Sequence, residues 1–188
     1  MSDEIRDMLK DAESRMHGAI QSLSDSLATV RTGRANPALV EKLPIDYYGN
    51  PTPLMQLASI SVPEPRSLMI KPFDASTIKE IEKAIRISDL GLNPNSDGKV
   101  IHLNLPPLNE ERRKELVKHV HQRLEEARVA VRNIRRDVHN DMREFEKEKL
   151  ITEDELRRGE EELQKLTDRF VEDINRTGRT KEKEIMEV

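Results

Sequence analysis

The chain has 188 residues, 36% of them charged and only 3% aromatic, with no cysteine and a net charge of −4. That composition excludes disulfide and thiol chemistry, a globally basic nucleic-acid binder, and base recognition on an aromatic platform. No apolar run approaches the ~20 residues of a membrane span, and Met1-Ser2-Asp3-Glu4 lacks the basic and apolar regions of a signal peptide, so no membrane association and a cytoplasmic location are expected.

Residues 3 to about 30 read as a helix. Ile5, Met8, Ala12, Met16, Ala19, Leu23, Leu27 and Val30 recur at steps of three and four. Ser2 is the candidate N-cap, and Gly33 the candidate left-handed residue closing the helix.

From Arg31 to about Leu105 the texture changes. All ten prolines fall between Pro37 and Pro107. Leu43–Tyr48, Leu57–Val62, Ser67–Phe73 and Lys99–Leu105 read as strands, with turns at Gly49-Asn50-Pro51 and from Asn93 to Gly98. One helix interrupts them, from about Ala75 to Ser88, with Asp74 as N-cap.

Pro106-Pro107 ends that segment, and Asn109 caps a long helix. Val117, Val120, Leu124, Ala127, Val131, Ile134 and Val138, with Phe145 beyond, form its seam, uninterrupted by proline or glycine. A helix of ~40 residues is ~60 Å long, more than the width of a compact domain of this size. Thr152 and Glu155 have capping-box spacing, so a third helix starts there, with Leu156, Leu163, Leu166, Phe170, Ile174 and Ile185 along one stripe. Gly178 costs ~1 kcal/mol relative to alanine within that helix, which leaves open whether its last turns fray.

The expected fold class is therefore α+β: an elongated antiparallel three-helix bundle from residues 1–30 and 106–188, with a small β/α/β domain inserted at 31–105. The first helix cannot bury its apolar face alone and must pack on the two long ones.

Signals for catalysis are weak. His119 and His121 are two apart on a helix and diverge, no glycine loop can cradle phosphate, and no metal or cofactor is expected. The cations are more informative. From Arg112 to Arg136 there are nine Arg or Lys against three Glu. Arg128, Arg132 and Arg135 share a face with His139, and Arg136 lies one turn from Arg132. The positions four before the arginines hold Leu124, Arg128, Val131 and Arg132, none of them acidic. Arginine forks suit phosphate, so the ridge is a candidate RNA-binding surface. The plainer alternative is acid partners on the neighbouring Glu-rich helices.

Arg31-Thr32-Gly33-Arg34-Ala35, Tyr47–Leu54, Ser88–Asn95, Leu105-Pro106-Pro107-Leu108 and Ala127–Asn133 together resemble the bacterial ribosome recycling factor family, a likeness that covers the whole chain. The resemblance implies a three-helix bundle with a β/α/β insertion. It also implies a non-enzymatic role in translation termination: binding the post-termination ribosome on large-subunit rRNA and, with elongation factor G and GTP, splitting it into subunits. Arg132 stands at the position of the family's RNA-contacting arginine, with Arg128, Arg135 and Arg136 on the same face. Arg31, Thr32, Gly33, Arg34, Leu105, Pro106 and Pro107 fall at the two interdomain crossings and are the expected hinge. A monomer is expected. The rival classes are a coiled-coil adaptor, which would lack salt-sensitive RNA binding, and an enzyme with a pocket in the small domain near Tyr47-Tyr48.

Overall fold

The structure is a computed structural model describing residues 2–187. Five helices and six strands follow one another: α1 (Asp3–Ala28), β1 (Pro44–Tyr47), β2 (Asn50–Pro53), the single turn α2 (Leu54–Leu57), β3 (Ala58–Glu64), β4 (Ser67–Pro72), α3 (Ile78–Ile87), β5 (Pro94–Ser96), β6 (Ile101–Asn104), α4 (Glu110–Lys147) and α5 (Glu153–Met186). They form two compact units. One comprises residues up to Leu27 with Lys118–Glu182, the other Ala28–Val117 with residues from Lys183 on.

The first unit is the bundle. Cross-helix pairs fix the directions. Arg128 meets Asn175 and His139 meets Glu160, so α4 and α5 run antiparallel. Arg15 meets Asp137, while Glu13 contacts Arg169 and His17 contacts Phe170, so α1 runs against α4 and along α5. The core is the meeting of three apolar stripes: Ile5, Ala12, Met16 and Leu23; Val120, Leu124, Val131, Val138 and Met142; Leu163, Phe170 and Ile174. Met142 joins this core from outside the predicted seam, and Ile134, a seam position by spacing, is only half-buried.

The predicted starts are all made. Ser2 Oγ accepts from Ile5 N at 3.4 Å, and Asn109 Oδ1 accepts from Arg112 N at 2.7 Å. The Thr152–Glu155 capping box closes reciprocally at 3.3 and 3.1 Å.

One expectation about a glycine fails. Gly33 does not close α1 in the left-handed region. The helix ends at Ala28, and the positive-φ glycines are Gly49, Gly91 and Gly98. The chain beyond Ala28 is held by other bonds instead: Arg31 donates to the Pro106 carbonyl and Ala35 N to Pro65 O. α5 continues through Gly178 to Met186. A Cβ on Gly178 would lie 2.3 Å from Leu124 Cδ1, and one on Gly159 3.1 Å from both Ile5 Cδ1 and Met142 Sδ. At both glycines α5 packs so near its neighbours that a Cβ would crowd them, and close packing offsets their cost in helix propensity.

The second unit holds a four-stranded antiparallel sheet ordered β3-β4-β6-β5 and a separate β1-β2 hairpin. The helix predicted from Ala75 begins as a 3₁₀ turn, Ala75–Thr77, and continues as α3, with Asp74 Oδ1 accepting from Ser76 N at 2.9 Å. That bond, with one from the Ser76 side chain, holds the Asp74 carboxyl below its ordinary pKa. β2 and β5 were read as turns because they carry Pro51, Pro53 and Pro94. Both lie on sheet edges, where a missing N–H costs no ladder bond. The unit has its own core, in which Ile45, Leu54, Leu68, Ile70, Ile81, Ile85, Ile101 and Leu103 are buried together.

Candidate nucleic-acid interface

The arginine face lies within the bundle. At 100° per residue, Arg128 and Arg135 fall on the flank of α4 toward α5, and Arg132 and Arg136 fall further round, toward solvent. The contacts agree. Arg128 Nε and Nη2 both donate to Asn175 Oδ1, at 3.1 and 2.8 Å, and its Nη1 donates to Glu125 Oε2 at 3.2 Å. Arg135 Nη1 donates to Gln164 Oε1 at 3.1 Å. Arg132 Nη2 donates to Glu125 Oε1 at 2.6 Å, and its side chain is 52% exposed. Arg136 is exposed and makes no hydrogen bond or ion pair among the described residues.

The arginines are thus not free of acid, as the i−4 positions suggested. Glu125 lies three residues before Arg128 and seven before Arg132, and serves both. Two turns of helix return the chain to nearly the same azimuth about 10.5 Å along the axis, a gap that a long arginine and a long glutamate span together. Hydrogen bonds from Arg132 first and Arg128 second, helped by their charge, hold the Glu125 carboxyl below its ordinary pKa. The neighbouring helix, by contrast, offers these arginines neutral amides, Asn175 and Gln164. Its glutamates go elsewhere: Glu182 to His121, and Glu160 to His139, whose Nε2 lies 2.9 Å away, and to Arg143 at 3.5 Å. Of the four guanidinium groups, Arg128 and Arg132 share the Glu125 carboxylate, and Arg135 and Arg136 pair with none among the described residues. Amide partners orient a guanidinium without neutralising it, so the face keeps a net positive charge and a preset geometry.

The predicted hinge residues all belong to the second unit. Arg31 donates to Pro106 O, tying the outgoing crossing to the returning one. Partial burial, and then the nearby Arg112 charge, lower the Arg31 pKa. Thr32 Oγ1 lies 3.3 Å from both the N and the O of Arg34, bonding to each. Ala35 N and Leu105 N bond to Pro65 O and Arg66 O, so both crossings hang on the β3–β4 turn. Gly33 faces the Glu187 carbonyl, with room for a Cβ at 3.6 Å.

Tyr47 and Tyr48 do line a hollow of about 330 Å³, with Asp46, Gly49, Ser76, Thr77 and Glu80. Its carboxylate Asp46 already accepts from Gly49 N at 2.8 Å, stabilising the turn that carries Tyr48 at φ 50°. Among the described residues no group of His and carboxylate side chains could hold a metal ion, and no helix is long and apolar enough to cross a membrane.

Fold and face together define a class: a discontinuous antiparallel three-helix bundle, interrupted by a β/α/β domain, whose α4 carries a cationic ridge. The family model described as "Ribosome recycling factor" matches residues 23–186. The chain is 56% identical over 184 residues to the ribosome-recycling factors of Roseiflexus sp. (strain RS-1) and Syntrophomonas wolfei, covering 98% of this chain and 100% of each relative. Among solved structures, the solution structure of a ribosome recycling factor matches with 46% identity and a TM-score of 0.78, over 100% of both chains. The T. thermophilus ribosome recycling factor, described with E. coli elongation factor G bound to the E. coli post-termination complex, matches with 45% identity and a TM-score of 0.68, over 97% of this chain and 99% of that one. The chain belongs to the ribosome recycling factor family.

Proposed function

We propose that this chain binds the post-termination ribosome through the arginine face of α4 and, with elongation factor G and GTP, promotes its separation into subunits. The face lies against large-subunit rRNA. Arg132 makes the principal phosphate contact, Arg136 adds an unpaired fork, and Arg128 and Arg135, oriented by Asn175 and Gln164, supply field and lateral contacts. The factor acts in the cytoplasm as a monomer, forms and breaks no covalent bond itself, and uses no cofactor. The inserted domain, residues 31–105, moves against the bundle at Arg31–Arg34 and Leu105–Pro107 when elongation factor G engages it.

The observation that carries this reading is the state of Arg132: half-exposed, held by one same-helix carboxylate, and set among cations whose other partners are neutral. Its test is binding to purified large subunits over a range of salt. Phosphate contacts release counterions, so affinity should fall steeply as salt rises, with a shallower slope for Arg132→Ala. Binding indifferent to salt would remove the RNA assignment.

A further inference from the structure

On the opposite flank of α4, half a turn of azimuth from Arg132, the bundle shows the reverse chemistry. α1 and α4 enclose a groove of about 360 Å³. Its floor is apolar: Met8, Val138 and Phe145. Its rim is acidic: Asp7 and Asp11 from α1, Asp141 and Glu144 from α4. Asp7 faces Lys10 at 3.8 Å and Asp11 faces Arg15 at 3.5 Å. Both pairs are on the surface and worth little. Arg15 is also shared with Asp137 at 3.0 Å. Asp141 and Glu144 have no ion-pair partner among the described residues.

A groove of this volume holds on the order of ten waters, whose release from an apolar floor favours whatever displaces them. Four carboxylates around that floor repel nucleic acid and attract a polycation. We propose that the groove docks a basic polypeptide segment of another protein. The segment places an apolar side chain on Met8, Val138 and Phe145, with flanking Lys or Arg against Asp7, Asp11, Asp141 and Glu144. The bundle would then hold RNA with one flank of α4 and a basic protein segment with the other. The inference is independent of the recycling reading, because it uses neither the arginine face nor the inserted domain.

The test titrates the ¹⁵N-labelled full chain with a short synthetic peptide of lysines around a central Leu-Leu pair, at near-physiological salt. Amide shifts should be confined to residues 7–11 and 138–145. The double variant Asp141→Asn/Glu144→Gln should weaken binding about five-fold, since two exposed ion pairs are lost, with helicity unchanged by circular dichroism. A control peptide with Ser-Ser in place of Leu-Leu should also bind several-fold more weakly, and Arg132→Ala should change nothing. The proposal is overturned by equal affinity for the Ser-Ser peptide, by shifts centred on other acidic stretches such as Glu160–Glu162, or by full affinity in the double variant. It is equally overturned if an RNA hairpin moves the same amides, or if they shift with protein concentration alone, which would make a second copy the occupant.

Discussion

Arg132 has one competitor for phosphate, and that competitor sits on its own helix. To grip RNA the guanidinium must exchange Glu125 for a phosphate oxygen, or hold both. Glu125→Gln should therefore tighten binding to large subunits by a few-fold, and weaker binding would mean that Glu125 chiefly holds the forks in place. Because the Glu125 pKa is lowered in the fold, its contribution is present above the ordinary carboxylate pKa of ~4.3 and is lost only as pH falls through the lower folded value. Between pH 6 and 8 this pair should add no pH dependence to stability or binding, a point a binding titration across that range checks directly. Arg132→Ala should weaken binding by about ten-fold or more, the scale of a charge-assisted bond, and Arg132→Lys should restore only part of it. The arginines themselves were legible in the sequence, because position on one helix face follows from spacing alone. Their partners were not: Glu125 lies at i−3 and i−7, outside the i−4 spacing, and Asn175 and Gln164 are brought close only by the antiparallel pairing of α4 and α5. Gly178 presents the same problem in the core. Alanine there gains ~1 kcal/mol of helix propensity but forces Leu124, which is buried, to move, at ~1–3 kcal/mol. Gly178→Ala should lower the unfolding free energy, whereas in a Leu124→Ala background the same change should raise it. A double-mutant cycle by denaturant unfolding shows whether the sign reverses.

At the scale of elements, the helices were legible because their signals are local. The caps at Ser2, Asn109 and Thr152 each use side chains within a few residues of the helix start, and the seams repeat over many turns. Thr152→Ala should cost ~1 kcal/mol, since it removes the box that starts α5. The edge strands were not legible. β2 and β5 carry prolines, and a proline on a sheet edge looks locally like a turn; only the partner strand decides. The end of α1 was misplaced for a related reason, since the bonds that hold the chain after Ala28 come from Pro65 and Pro106, far along the sequence. The inserted strands and α3 bury their own core, with every member between Leu39 and Leu105. Replacing residues 35 to 104 with a short Gly/Ser linker should thus leave a soluble helical protein that unfolds cooperatively and still binds large subunits. A molten product in thermal unfolding would show that the bundle depends on the insertion.

At the scale of the whole molecule, the proposed function needs a cationic face that stays on RNA while a partner protein drives the inserted domain. Each crossing between residues 31–35 and 105–108 is short and tied, by Arg31 to Pro106 and by Ala35 and Leu105 to the β3–β4 turn. If splitting uses motion at this proposed joint, a reversible disulfide engineered across it should slow splitting while sparing binding. The central claim is that the α4 arginines couple the chain to the ribosome so that it can be taken apart. Its most direct measurement is light scattering of post-termination ribosomes mixed with this protein, elongation factor G and GTP. The wild-type chain should produce a rapid fall in scattering that requires both elongation factor G and GTP, and Arg132→Ala at the same concentration should slow that fall by about ten-fold or more. A fall of the same rate with Arg132→Ala, or one without elongation factor G, would contradict the account.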